Sequence, residues 1–182
     1  MEIPDAQREM RAHYAGTFYG QFVSAVLWLV SAALGTWGTP RMAIATLVIG
    51  GMFIFPATTL LLRLTGPKPP LNPDNGLPSL GMQVAFVLPL SMLLLYPVTL
   101  FRLTWFYPAL MILVGAHYLP FVFLYGMRMF WALGALLVAG GVLIARYGGD
   151  AHFTAGAWST AAVLLVFAFV GRFSVVRERA LD

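Results

Sequence analysis

Residues 79–101 read SLGMQVAFVLPLSMLLLYPVTLF, and no Asp, Glu, Lys or Arg interrupts them. Coiled as a helix at about 1.5 Å per residue, a run of that length crosses the roughly 30 Å hydrocarbon core of a bilayer. The apolar residues are continuous and lack the two-residue alternation of a membrane β-barrel strand. Lipid is therefore the solvent for this segment. In lipid an isolated stretch must be helical, because its backbone polar groups find partners nowhere else.

Working outward, five more stretches behave alike. The expected spans lie at about 15–37, 42–62, 79–101, 104–125, 128–146 and 154–171. Hydrophobic residues make up 60% of the 182, charged residues 10%, and the mean hydropathy is +0.82. A water-soluble domain of this size could not cover so much apolar surface. The expected fold is all-α: a polytopic membrane bundle of six transmembrane helices filling residues 14–172. Residues 1–13 predict an interfacial amphipathic helix with Asp5 as its cap behind Pro4, and residues 173–182 a basic cytoplasmic tail. The mixed charges of Glu2, Asp5, Arg8, Glu9 and Arg11 are unlike a signal-peptide start, so the first span is expected to stay in the mature protein.

The basic residues set the expected orientation. Arg8, Arg11, Arg63, Lys68, Arg128, Arg172, Arg177 and Arg179 fall on one side, and Arg41, Arg102 and Arg146 on the other. That asymmetry predicts a multi-pass protein of the cell (inner) membrane with both termini in the cytoplasm. The longest connection, GPKPPLNPDNGLP at 66–78, reads as a turn-rich linker. The net charge of +4 belongs to residues at span ends, which anchor to lipid headgroups, so the expected partner is the bilayer and not nucleic acid. The absence of Cys excludes disulfides, thiolate metal sites and a Cys nucleophile.

Within the spans, Gly51 to Pro56 and Gly115 to Pro120 share one spacing at an offset of 64 residues, which suggests duplicated helical hairpins. Gly16, Gly20 and Ser24, then Ala135/Ala139, Gly141/Ala145 and Ala157/Ala161, are small residues four apart, suited to close helix crossings inside the bundle or to a homo-oligomer. Interior prolines Pro56, Pro89, Pro97 and Pro120 predict kinks, and each frees a carbonyl that needs a partner in the protein or in a wet cavity.

One ionisable side chain lies deep in a span: His117. Burying it is costly, so it is expected to face the interior beside other polar groups. Span 1 presents Gln21, Ser24, Trp28 and Ser31 on one helical face, span 3 offers Gln83, Ser91 and Tyr96, and Tyr107, Tyr118 and Tyr125 accompany His117 in span 4. The expected ligand-binding set is His117, Tyr118, Gln21, Ser24, Gln83 and Tyr96, between spans 1, 3 and 4. No deep carboxylate or Cys joins them, so no catalytic residue, metal site or cofactor is assigned.

The stretch Gly115-Ala-His-Tyr-Leu-Pro-Phe121 resembles a G-[SA]-H-[FY]-L-P-F element of a family of small, uncharacterised bacterial integral membrane proteins, a domain of unknown function. Phe55-Pro56, Asn75-Gly76-Leu77 with Leu80-Gly81, and Arg8-Glu9-Met10 fit the same family, so the resemblance covers about residues 5–170. It implies a six-helix bacterial membrane protein and no particular activity. Three readings follow. The first is binding or passive transport of a small apolar or amphipathic molecule, or a lipid, near His117. The second is a structural protein acting through helix–helix assembly. The third is an intramembrane enzyme using His117.

Overall fold

The computed structural model describes residues 1–65, 69–149 and 152–180. Lys68 and the start of the expected linker lie outside the described residues, as do the last two positions of the expected tail. The regular elements of the described chain are all helices: α1 (Ile3–His13), α2 (Phe18–Trp37), α3 (Pro40–Gly51), α4 (Ile54–Leu64), α5 (Leu77–Met92), α6 (Leu95–Phe101), α7 (Phe106–Tyr118), α8 (Phe121–Tyr125), α9 (Met129–Tyr147) and α10 (Ala155–Arg179). Short 3₁₀ turns at Ala15–Thr17 and Leu103–Trp105 precede α2 and α7. Five helical stretches, Ala15–Trp37, Leu77–Phe101, Leu103–Tyr125, Met129–Tyr147 and Ala155–Glu178, are long and apolar enough to cross a membrane, and α3 with α4, bent by 58° at their break, bring the number to six where the pair is counted as one span. The protein is a multi-pass integral membrane protein.

Prolines explain where the spans break. Pro56 and Pro97 each occupy the third residue of the segment that follows a break, in α4 and α6, and Pro120 caps α8. A helix's first turn has no intrahelical use for an N–H, so restarting there leaves proline without a lost bond. Pro89 sits inside α5, which continues to Met92. Of the expected prolines it alone lies well within a continuous helix, where an apolar environment keeps the remaining backbone bonds strong.

Span 4 is the centre of the bundle. In its most apolar stretch 44% of residues are buried against the chain, compared with 6% in span 3. Two glycine crossings bring helices close. A Cβ on Gly115 of α7 would lie 2.9 Å from the Gly134 carbonyl of α9, and one on Gly16 would lie 2.7 Å from the Gly171 carbonyl of α10. Without side chains, the backbones touch and gain dispersion contacts that lipid cannot replace. The Gly16 end of the span 1 stripe and the Ala157/Ala161 pair are thus used inside the chain, while Ala135 and Ala139 stay exposed.

At the end of the bundle that carries the termini, α1 is tied down by polar contacts. Arg11 pairs through two nitrogens with Glu178 and donates to the Tyr125 carbonyl at 2.8 Å. Glu9 accepts from the Asn72 backbone at 2.7 Å and from Asn75 at 2.6 Å, so the described part of the linker is docked on α1. Asp5 is not the cap: Glu2 holds that position, and Asp5 lies in the first turn, paired with Arg8 at 3.2 Å. A carboxylate there still faces the positive end of the helix dipole. The expected tail begins as helix, because residues 173–179 contain no Gly or Pro and α10 continues through them.

Candidate functional site

The path from α1 to α2 shapes the site. Ala15, Gly16 and Thr17 have φ of 51°, 62° and 69°, three left-handed residues in succession. For Ala and Thr that conformation costs on the order of 1–2 kcal/mol each. It persists because Gly16 is seated on the Gly171 backbone. The turn sets the rotation of α2, which places Gln21, Trp28 and Ser31 of the expected face inside the bundle.

Span 2 contributes through its bend. Ile54 lies at the start of α4, and Thr58 stands one turn further on beside Gly20, where a Cβ on the glycine would be 3.9 Å from the Thr58 methyl. Span 4 contributes the end of α7 and the start of α8, which the Pro120 break brings in together. Between these elements is a half-open cleft of about 140 Å³, lined by Thr17, Gly20, Gln21, Ser24, Ile54, His117, Tyr118 and Phe121. Its volume resembles that of an engineered apolar cavity, about 150 Å³, that holds a benzene molecule.

Most of the buried polar atoms without a partner among the described residues lie at or beside this cleft, Trp105 Nε1 and Thr160 Oγ1 standing elsewhere. Gln21 is 1% exposed, yet neither its Nε2 nor its Oε1 has a hydrogen-bond partner. Thr17 Oγ1 and His117 Nδ1 are likewise buried and unpartnered, and so is Thr58 Oγ1 behind Gly20. Leaving a buried donor or acceptor unmet costs about 1–3 kcal/mol. Such atoms gathered around one cavity are the pattern expected where an occupant supplies the missing bonds. In a neutral imidazole Nδ1 is a lone-pair acceptor in one tautomer and an N–H donor in the other, so it can bond an occupant in either form. Ring contacts hold the wall: His117 lies 5.2 Å from Phe121, and Tyr118 is stacked on Phe130 at 6.1 Å.

Of the six expected ligand residues, four meet here: Gln21, Ser24, His117 and Tyr118. Gln83 and Tyr96 do not. Gln83 is exposed and Tyr96 is 72% exposed, because span 3 packs mainly at the margin of span 4 and turns most of its surface outward. Ser91 meets its own need by donating to the Val87 carbonyl at 2.8 Å. Thr17, Ile54 and Phe121 were not expected. Thr17 stands four residues before Gln21, a helical step that could have flagged it, whereas Ile54 becomes a lining residue only through the bend of span 2. Among the described residues no three His, Cys, Asp or Glu side chains stand close enough to hold a metal ion.

The chain belongs to the family of unknown function DUF7010, whose pattern matches residues 3–173. Neither a curated protein nor a solved structure matches it.

Proposed function

We propose that this membrane protein binds a small apolar or amphipathic molecule in the cleft beside His117. The observation that carries the reading is the convergence of unpaired Gln21, Thr17 and His117 atoms on one half-open cavity. Binding is favoured over passage through the bundle by the other end of the same helix face. There Ser31 donates to the Ala43 carbonyl at 2.8 Å and meets Tyr107 Oη at 2.7 Å, so the polar groups close on one another. No Asp or Glu lines the cleft to serve as a second acid or base, so an enzymatic role for His117 has no support in the geometry.

A structure determined in lipid nanodiscs tests the reading. Density larger than water should contact both Gln21 and His117 Nδ1. A cleft filled by rearranged side chains, with the Gln21 amide paired to protein, would refute it. Assembly with further copies is the second reading, supported by the exposed Ala135/Ala139 pair and the sparse packing of span 3. Native mass spectrometry from nanodiscs should then show one fixed stoichiometry above the monomer. For location we propose a bacterial inner membrane with both termini in the cytoplasm, on the asymmetry of basic residues. Reporter fusions at residue 1 and at residue 182 should both give the cytoplasmic signal, and a periplasmic signal from either overturns the topology.

A further inference from the structure

The cleft specifies the chemistry of its occupant more narrowly than its size does. Gln21 offers both an N–H donor and a carbonyl acceptor, His117 Nδ1 offers a lone pair or an N–H according to its tautomer, and Thr17 offers a hydroxyl. None of the lining residues is Asp, Glu, Lys or Arg. Arg11 and Glu178 are paired with each other across α1 and α10, and Arg172 lies over the Phe18 and Tyr19 rings outside the lining. A charged head placed here would be buried without a counter-ion, which costs far more than burying a hydrogen-bonded neutral one. A purely apolar molecule fails from the other side, since it would leave Gln21 and Nδ1 unmet. The rest of the wall, Ile54, Tyr118 and Phe121, is apolar or aromatic.

We infer that the occupant is a single-chain amphiphile with an uncharged head, a hydroxyl or a primary amide. The head hydrogen-bonds His117 Nδ1 and accepts from Gln21 Nε2, and the first carbons of the chain lie against Ile54, Tyr118 and Phe121. This assignment rests on the reading of the cleft as a binding site.

The test keeps the two claims apart. The full chain is labelled with ¹⁵N-histidine and placed in phosphatidylcholine nanodiscs at about pH 8.5, well above the ordinary imidazole pKa of about 6.5. The chain has three histidines, and His117→Gln identifies the signal of interest by its loss. Decan-1-ol, decanoate, decylammonium and decane are compared at equal mole fraction of lipid. Decan-1-ol should move the Nδ1 resonance and half-saturate at a mole fraction at least about tenfold below either ion, and decane should leave the resonance in place. Gln21→Leu should weaken the decan-1-ol response about tenfold while the thermal midpoint stays within a few degrees. If decanoate or decylammonium saturates as readily as decan-1-ol, the neutral-head assignment is wrong and the binding reading stands. An unaltered response in Gln21→Leu also removes the assignment. If no probe moves the resonance in folded protein, the binding reading fails with it.

Discussion

Ser31 and Gln21 occupy the same inward face of α2, ten residues or about 15 Å apart, and the two ends of that face are built on opposite rules. At Ser31 every polar group is answered. The hydroxyl bridges the Ala43 carbonyl and Tyr107, and Tyr107 is fully buried. At Gln21 nothing is answered, and the unmet atoms face a cavity. Both are buried polar residues in a membrane helix, which by itself marks either a structural bond between helices or a site. The difference lies in what the neighbouring spans bring. Span 2 meets Ser31 with the backbone of α3, but after its 58° bend it brings Ile54 into the lining that Gln21 shares and Thr58 beside Gly20. A bent span thus leaves room that a straight one would fill.

The largest expected effect is at the closed end. Tyr107→Ala removes an aromatic ring packed at 4.9 Å from Phe153 and 6.0 Å from Trp28, together with the bond to Ser31. In a core such a truncation costs about 3–5 kcal/mol. In lipid the water-transfer part falls away and the lost contacts remain, so the low end, about 3 kcal/mol, is expected. Reversible unfolding in mixed micelles measures it. A loss under about 1 kcal/mol would show that the closed end does not hold the bundle together.

The next effect sharpens the same contrast using the two matched Gly…Pro stretches. Gly115→Ala pushes a methyl to 2.9 Å from the Gly134 carbonyl and the Val138 side chain, both on α9, which should cost about 1–3 kcal/mol. Gly51→Ala meets nothing within 4 Å and should be neutral or slightly stabilising. Equal effects at the two positions would mean that the repeat spacing reflects equivalent packing, contrary to the structure. Below these stands Tyr107→Phe. It keeps the ring and removes one interhelical hydrogen bond, so about 0.6–1.7 kcal/mol is expected. Ser31 still donates to Ala43 in that variant, which is why the cost stays small.

How much of this the residues disclosed depends on which force is at work. Spans are legible because lipid demands about 20 apolar residues per crossing, and the expected limits agree with the helices within a few residues except at the end of α10. The inward direction of Gln21, Trp28 and Ser31 is legible from helical spacing along one helix. The rank of the spans is not. Nothing in the composition of span 3 says that it is the least buried, since an apolar surface suits lipid as well as protein. That is why residue type and spacing alone group Gln83 and Tyr96 with a site they do not reach. The bend of span 2 has a visible cause in Pro56, but its direction depends on partners far away in the chain. Ile54 therefore had no local signal, and the left-handed turn at Ala15–Thr17 had only Gly16 to announce it.

The smallest expected change in stability is the most decisive for function. Gln21→Leu replaces an amide whose two polar atoms have no partner within the protein with an apolar side chain of similar size. Removing a paired amide would cost about 1–2 kcal/mol in a membrane, because its partner would be stranded. Here no partner is stranded, so unfolding in micelles should change by less than about 0.5 kcal/mol, or the protein should become slightly more stable. Ligand-free protein is the right sample, since a bound molecule would stabilise the wild type by mass action and lend the amide an indirect contribution. His117→Gln belongs beside it: it keeps a donor and an acceptor, so the fold should again be unaffected while the ring nitrogen is removed from its place in the cleft. A loss above about 1 kcal/mol for Gln21→Leu in ligand-free protein would mean that the amide does hold a helix in place. The two ends of α2 would then follow one rule, and the cleft would lose its claim to be a site.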